Sequence, residues 1–341
     1  MKQKRIATME EFAEAVDLSR QTVSRYFNDP SSVRKGTRDI IEAGLEQFDY
    51  QRNFHAASLT RRKARSIGII VPSITDPFYS ELVSTIELYA EDRGYLTVLQ
   101  CSHNDASMEG RALTRLLANN VQGIAMAPLG FTTDLQMVES AQRDTPIVFM
   151  DSRLHADAAY IGTDNQQSIG QLVDYLCETG QPPALFTMPA VNINVVERQQ
   201  AYISRMEALG HTPTILNPDP ESVWDDYERF GFEQFMNLPP ERIRNVSTIL
   251  CLNDRIAFGL MTAAHRLGLR VGTGDDADIR LAGHDDQHFS RYTNPTLTTV
   301  AQDPKAIGIL AAQALLENEG DNELMHRGRL IQGKLRLRQS A

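Results

Sequence analysis

Apolar positions follow two rhythms along the chain, and the change falls near residue 65. Before it, Phe12, Ala13 and Val16 recur at helical spacing, as do Val23 with Phe27, and Ile40, Ile41, Ala43, Gly44, Leu45 and Phe48. Thr8 followed by Glu11 three residues later is a capping-box pattern that predicts a first helix. Asp17–Leu18 reads as a turn, Ser19 as the cap of a second helix through Asn28, and about Thr37 to Phe48 as a third. After residue 65, short apolar runs alternate with amphipathic stretches. Ile67–Val71, Leu96–Leu99, Gly123–Ala127 and Ile147–Met150 read as strands, separated by helices near Phe78–Arg93, Ser107–Asn119 and Asp134–Gln142. The alternation repeats with strands at Ala184–Met188, Thr214–Leu216, Thr248–Leu252 and Ile279–Ala282, and helices at Val195–Leu209, near Asp225–Met236 and at Asp254–Leu267. This order predicts parallel βαβ units with right-handed crossovers, arranged as two lobes with a cleft between them.

A length of 341 residues allows two or three domains with a sizeable core. No apolar run reaches the roughly 18–20 residues that cross a bilayer, so no membrane association is expected. Glu10, Glu11 and Glu14 stand where a signal peptide needs an apolar stretch, which points to the cytoplasm. Cys101, Cys177 and Cys251 lie far apart in apolar segments and read as buried thiols.

The net charge of −10 conceals an asymmetry. Residues 1–65 carry 13 Lys/Arg against 9 Asp/Glu, net +4, and the remainder 21 against 35, net −14. A basic head on an acidic body suits nucleic acid, although a solvated charged face gives the same count. The predicted second helix buries Val23 and Phe27 and turns Arg20, Gln21, Ser24 and Arg25 outward. Two short helices joined by a tight turn form a helix-turn-helix that can enter a major groove. A small bundle with a charged surface fits the helix pattern equally.

Leu18-Ser19-Arg20-Gln21-Thr22-Val23-Ser24-Arg25, with Asn28 and then Val33-x-x-x-Thr37-Arg38, closely resembles the DNA-binding head of the lactose-repressor (LacI/GalR) family. Tyr50-x-x-Asn53-x-x-Ala56-x-x-Leu59 is similar to its hinge helix, and Arg65–Pro72 to the start of its effector domain. The resemblance therefore spans nearly the whole chain. It implies an N-terminal all-α helix-turn-helix head (1–50), a hinge helix and linker (51–65), and an α/β two-lobed, periplasmic-binding-protein-like (type I) domain (66–341). The first lobe would comprise about 66–163 plus 296–322, the second about 164–293 plus 325–341.

By that resemblance Arg20, Gln21 and Arg25 read base edges. Thr8, Ser19, Thr22, Ser24 and Asn28 hold phosphates. Asn53, Ala56 and Leu59 form a hinge helix on DNA, with Leu59 wedged into a central minor-groove step. Two positions depart from the family: Asp17 replaces the usual turn glycine, and Arg52 the proline before the hinge.

Open α/β sheets bind ligands beyond their strand carboxyl ends. Asp76-Pro77-Phe78-Tyr79, Asp151, Asn253-Asp254 and Gly283-His284-Asp285-Asp286 follow predicted strands, and such carboxylates, amides and rings suit a polyhydroxylated ligand. The resemblance implies that Phe78 and Tyr79 line the pocket, Arg198 anchors the ligand and Trp224 stacks on it. Asp151, Asn253, Asp285 and Gln302 supply further polar contacts. Ala201 and His284 stand where the family has glycine and an aromatic ring, and are expected to reshape the pocket.

His284, Asp285, Asp286 and His288 as metal ligands are rejected, since neighbours at a strand end do not converge on one ion. Gly272–Asp276 lacks the Lys-Ser/Thr of a phosphate loop, and no nucleophile motif appears. No cofactor, metal or catalysis is expected. Two classes contend: a transcription factor controlled by a small molecule, most simply a sugar, or a plain solute-binding protein. The head favours the first, acting as a homodimer on a palindromic double-stranded DNA operator. The tail ends in strand-like Lys334–Ala341, without a tetramerising leucine repeat.

Overall fold

The computed structural model describes residues 4–50, 65–155, 158–216, 226–317 and 323–341. The chain divides into two compact units, residues 1–64 and 65–341.

In the first unit, β1 (Lys4–Ile6) pairs in parallel with β2 (Phe48–Tyr50), and α1 (Met9–Ala15), α2 (Arg20–Asn28) and α3 (Lys35–Gln47) lie between them in sequence. The capping box on α1 forms: Thr8 Oγ1 accepts from Glu11 N at 3.2 Å, and Glu11 Oε2 accepts from Thr8 N at 3.3 Å. Ser19 caps α2 by accepting from Thr22 N at 3.1 Å. Between the helices Asp17 takes φ of 52°, the left-handed region where aspartate is tolerated better than most residues. Phe12, Val23 and Ile41 are fully buried, and Phe12 stacks on Tyr50 with ring centroids 4.6 Å apart. Ile40 and Ala43, expected in this core, are exposed, because α3 turns Ile41, Gly44 and Leu45 inward instead, with Phe48 of β2 beside them. The short strand pair adds β structure to a head expected to be all-α.

The second unit contains two parallel sheets. The first lobe has six strands in the order β13-β7-β6-β5-β3-β4: β3 (Ser66–Val71), β4 (Leu96–Cys101), β5 (Ile124–Met126), β6 (Ile147–Met150), β7 (Tyr160–Thr163) and β13 (Arg329–Ile331). Its helices are α4 (Pro77–Glu91), α5 (Ala106–Ala118), α6 (Leu135–Gln142), α12 (Pro304–Leu316) and the short α13 (Glu323–Arg327). Strand β3 feeds both faces by its two-residue period: Ile67, Ile69 and Val71 join one core, Ile70 the other.

The second lobe has four parallel strands in the order β11-β10-β8-β9: β8 (Ala184–Phe186), β9 (Thr214–Leu216), β10 (Thr248–Cys251) and β11 (Arg280–Ala282). They pack with α7 (Asn165–Thr179), α8 (Ile193–Ala208), α9 (Tyr227–Met236), α10 (Pro240–Arg244) and α11 (Asp254–Arg266). Helices α9 and α11 cross closely because both carry glycine at the contact. A Cβ on Gly231 would lie 2.3 Å from Ile256 O, and one on Gly259 2.2 Å from Glu228 O.

The antiparallel pair β12 (Thr299–Ala301) and β14 (Lys334–Arg336) lies where the chain passes between lobes. Gly333 N donates to Gln167 Oε1 at 2.9 Å, and Gln167 Nε2 returns a bond to Gly333 O at 3.2 Å. One expected boundary shifts. Residues 325–341 were assigned to the second lobe, but Arg329–Ile331 pairs with Tyr160–Thr163 at the edge of the first, so the last passage between lobes falls after β13.

Candidate functional site

The first unit presents α2 as an outward-facing helix. Arg20, Gln21 and Arg25 are exposed, while Thr22 and Ser24, the latter expected on the outer face, are half-buried. Arg20 meets Glu10 at 3.7 Å with both side chains largely exposed, a loose pair that leaves the guanidinium available to a stronger acceptor. Thr8 and Ser19 use their oxygens as helix caps at the N-termini of α1 and α2. Backbone N–H groups at such termini favour anions. Asn28 closes α2. The hinge positions Asn53, Ala56 and Leu59, and Arg52 before them, lie outside the described residues.

In the second unit, seven of the eight expected ligand residues surround one cavity. Phe78, Tyr79, Asp151, Arg198, Asn253, Asp285 and Gln302 line it; Trp224 lies outside the described residues. The loops after β3, β6, β8, β10 and β11 converge here, so a single rule about strand ends gathers side chains distant in sequence.

Asp76 caps α4 by accepting from Phe78 N at 2.9 Å, which fixes the Phe78 and Tyr79 rings at the start of the helix. Tyr79 donates to Asp151 Oδ2 at 2.8 Å. Asp151 follows β6 with φ of 66°, and Asn194 of the second lobe donates to its Oδ1 at 3.3 Å. Burial raises the Asp151 carboxyl to about 6, against hydrogen bonding from Tyr79 and the charge of Arg198. Burial also raises Asp76, and pushes the Tyr79 hydroxyl far above its ordinary range.

Arg198 comes from α8 and is nearly buried. Its Nε donates to Asn165 Oδ1 at 2.9 Å, and one terminal nitrogen donates to Leu252 O at 2.7 Å and to Asp285 Oδ1 at 3.5 Å. Gln302 Nε2 donates to the same Asp285 oxygen at 2.7 Å, while Gln302 Oε1 accepts from Thr163. Gln302 thus connects Thr163 of the first lobe to Asp285 of the second. Arg255 Nη1 donates to Asp76 Oδ2 at 3.3 Å and Arg153 pairs with Glu197, further polar bonds between the lobes beside that of Asn194 with Asp151.

The two family departures lie away from this cavity's lining. His284 is fully buried behind Asp285, with Nδ1 2.9 Å from Asp285 Oδ1 and Nε2 3.0 Å from Ser168 Oγ. Burial, then the charge of Arg198, lowers it to about 4, so it is neutral at pH 7. Ala201 packs in the second-lobe core. Of the two, only His284 touches a lining residue, through its bond to Asp285. Asp286 and His288 diverge from His284. Asp286 accepts from Arg338 and Arg291, and the His288 ring packs on Phe289 and Tyr292.

Asp76, singled out after the first strand, also lines the cavity, as do residues missed by sequence reasoning: Asn192, Asn194 and Tyr227. Asn192 and Asn194 follow β8 and obey the same strand-end rule. Tyr227 begins α9 and reaches the cavity through the glycine crossing with α11.

The chain matches two family models. One is described as bacterial regulatory proteins, lacI family, over residues 8–53, and the other as a periplasmic binding protein-like domain over residues 173–341. The HTH-type transcriptional repressor PurR of Vibrio cholerae serotype O1 (strain M66-2) is 28% identical over 328 residues, covering 93% of each chain. The HTH-type transcriptional repressor CytR of Escherichia coli (strain K12) is 26% identical over 348 residues, covering 99% of this chain and 97% of the relative. Among solved structures, the lac repressor dimer bound to operator and the anti-inducer ONPF superposes with a TM-score of 0.82 at 26% identity, covering 99% of both chains. The lac repressor bound to ONPG in the repressed state gives 0.84 at 27% identity.

Proposed function

The chain belongs to the lacI family of bacterial regulatory proteins, and from that premise we propose how it operates as a ligand-responsive DNA-binding repressor. Two copies hold a palindromic operator, each placing Arg20, Gln21 and Arg25 of α2 against base edges, with Thr8, Ser19, Thr22, Ser24 and Asn28 on phosphates. Asn53, Ala56 and Leu59 form the hinge that joins the head to the two-lobed domain. The dimer is supported by the lac repressor dimer on its operator, and by the weak selectivity of a single head. Acting on DNA, the chain works in the cytoplasm, and it carries out no catalysis of its own.

The effector is a sugar or sugar derivative held between the lobes by Phe78, Tyr79, Asp151, Arg198, Trp224, Asn253, Asp285 and Gln302. One observation carries this reading: seven of these residues, from six separate segments, line a single cavity. Carboxylates accept bidentately from vicinal hydroxyls, amides both donate and accept, and ring faces cover apolar C–H surface. A ligand acts on DNA only by favouring one lobe arrangement over another, and the bonds Arg255–Asp76, Asn194–Asp151 and Gln302–Thr163 are those it would strengthen or replace. A plain solute-binding role leaves the head without a purpose.

The test is a titration of the purified chain against pentoses, hexoses, polyols and nucleosides, followed by emission from Trp224, the single tryptophan. A saturable change that disappears in Asp285→Asn supports the cleft as the effector site. A change that survives in that variant places the site elsewhere.

A further inference from the structure

Asp285 carries backbone strain. Its φ is 125°, a region that side chains rarely adopt and that persists only where surrounding contacts over-determine it. Its N–H donates to Val300 O at 2.8 Å, and the carbonyl of His284 before it accepts from Asp254 N at 2.8 Å, so the chain is pinned on both sides. The carboxylate is fixed as well, but unevenly. Oδ1 lies 2.7 Å from Gln302 Nε2, 2.9 Å from His284 Nδ1 and 3.5 Å from Arg198 Nη1, whereas no group among the described residues bonds Oδ2.

Of the three groups on Oδ1, His284 alone lies outside the cavity lining, with its ring fully buried. A neutral imidazole carries one N–H, and its neighbours decide where that proton sits. A carboxylate only accepts, so a bare Nδ1 facing Asp285 Oδ1 would set two lone pairs against each other. The proton therefore belongs on Nδ1. Nε2 is then an acceptor, and Ser168 Oγ at 3.0 Å supplies its hydrogen in preference to the longer bond to Asn165 O at 3.3 Å. Turning the ring over would put carbons in place of both nitrogens and lose both bonds. Ser168 belongs to α7, whose Gln167 and Gln171 hold Gly333 O at the last passage between lobes. A chain of hydrogen bonds from Ser168 through His284 to Asp285 thus joins that helix to the cavity.

We propose that His284 is a positioning residue: as the Nδ1–H tautomer it holds Oδ1 of Asp285 inward and leaves Oδ2 as the acceptor offered to the effector. This rests on the cleft reading above, and the experiment separates the two.

The first measurement needs no ligand. It is nitrogen NMR of the full chain labelled with 15N-histidine, with the His284 signals identified by their loss in His284→Asn. The expected result is a proton on Nδ1, no titration between about pH 5.5 and 8, and transfer of the proton to Nε2 in Asp285→Ala, where Ser168 is the remaining partner. A proton on Nε2 in the parent, or a ring that titrates in this range, overturns the proposal. The second measurement is calorimetry with the pentoses, hexoses, polyols and nucleosides named above. The amide nitrogen of His284→Asn takes the place of Nδ1 and still donates to Asp285, whereas His284→Phe fills the core space and donates nothing. Affinity is expected to stay within threefold of the parent in His284→Asn and to fall at least tenfold in His284→Phe. A residue that merely fills the core gives the reverse order, and that order overturns the proposal while binding still depends on Asp285. Binding unaltered in both His284→Phe and Asp285→Asn overturns the cleft reading beneath it.

Discussion

Arg255 on α11 donates to Asp76 at the start of α4 at 3.3 Å, joining the second lobe to the first, with side chains only 20% and 14% exposed. Arg255 also pairs with Glu228 at 2.7 Å, and its guanidinium carbon lies 5.0 Å from the centre of the Tyr227 ring. One arginine therefore couples the loop after β3, helix α9 and helix α11. Removing it in Arg255→Ala leaves two carboxylates without their partner, at a cost of roughly 1–3 kcal/mol in the joined arrangement. The effector dissociation constant should rise about tenfold, which corresponds to about 1.4 kcal/mol. Calorimetry that returns the parent value within twofold contradicts this.

The α9–α11 crossing should tolerate no added carbon. In Gly259→Ala the new Cβ would sit 2.2 Å from Glu228 O and 2.6 Å from Phe232 N, both backbone atoms that move only with the helix. Overpacking of this kind costs roughly 1–3 kcal/mol. At roughly 2–4 °C per kcal/mol, scanning calorimetry should show the transition of the larger unit several degrees lower. An unchanged Tm would mean that the helices separate freely.

Effector binding should depend on pH through Asp151. Its carboxyl is raised to about 6 by burial, so the neutral form predominates at pH 5 and the carboxylate at pH 7. The carboxylate is the better acceptor for ligand hydroxyls, so affinity should increase with pH around a midpoint near 6. Asp76, Asp285, Arg198, Tyr79, Tyr160 and Tyr227 are among the ionisable groups around it. His284 is lowered to about 4 and contributes no step in this range. Asp151→Asn should flatten the profile, and a step near pH 6 that persists in that variant would assign it to another group. For folding the sign is opposite. A raised carboxyl favours the folded state most below its unfolded value near 4, and that contribution is lost as pH climbs to about 6.

On α2, Arg25→Ala should weaken operator binding by roughly 1–3 kcal/mol and relax selectivity at one base pair. Effector affinity should be unaffected, since Arg25 belongs to the other compact unit. Anisotropy titrations against the operator and single-base variants distinguish this from a phosphate contact, whose loss lowers affinity evenly across sequences.

Much of this architecture was legible because its signals are local. Thr8 with Glu11, Ser19 before α2 and Asp17 in the turn each act within four residues, and each adopts its expected geometry. The strands Lys4–Ile6 and Phe48–Tyr50 were invisible, because three-residue strands have no measurable period and pair across more than forty positions. Helix α12 escaped notice because Ile307, Gly308, Ala311, Ala312, Ala314 and Leu315 bury most of its circumference, leaving little amphipathic contrast. The same limit applied at the cleft. Asp151, Asn253 and Asp285 directly follow strands and were identified, whereas Tyr227 depends on a helix crossing visible only in three dimensions.

The central claim is that the cavity around Asp285 controls the DNA-reading head. Its most direct test is the affinity of the full chain for its operator, with and without saturating effector, in the parent and in Asp285→Ala. The account predicts an effector-dependent change of at least tenfold in the parent and less than twofold in the variant, with equal operator affinity in the absence of effector. A full response in Asp285→Ala would contradict it.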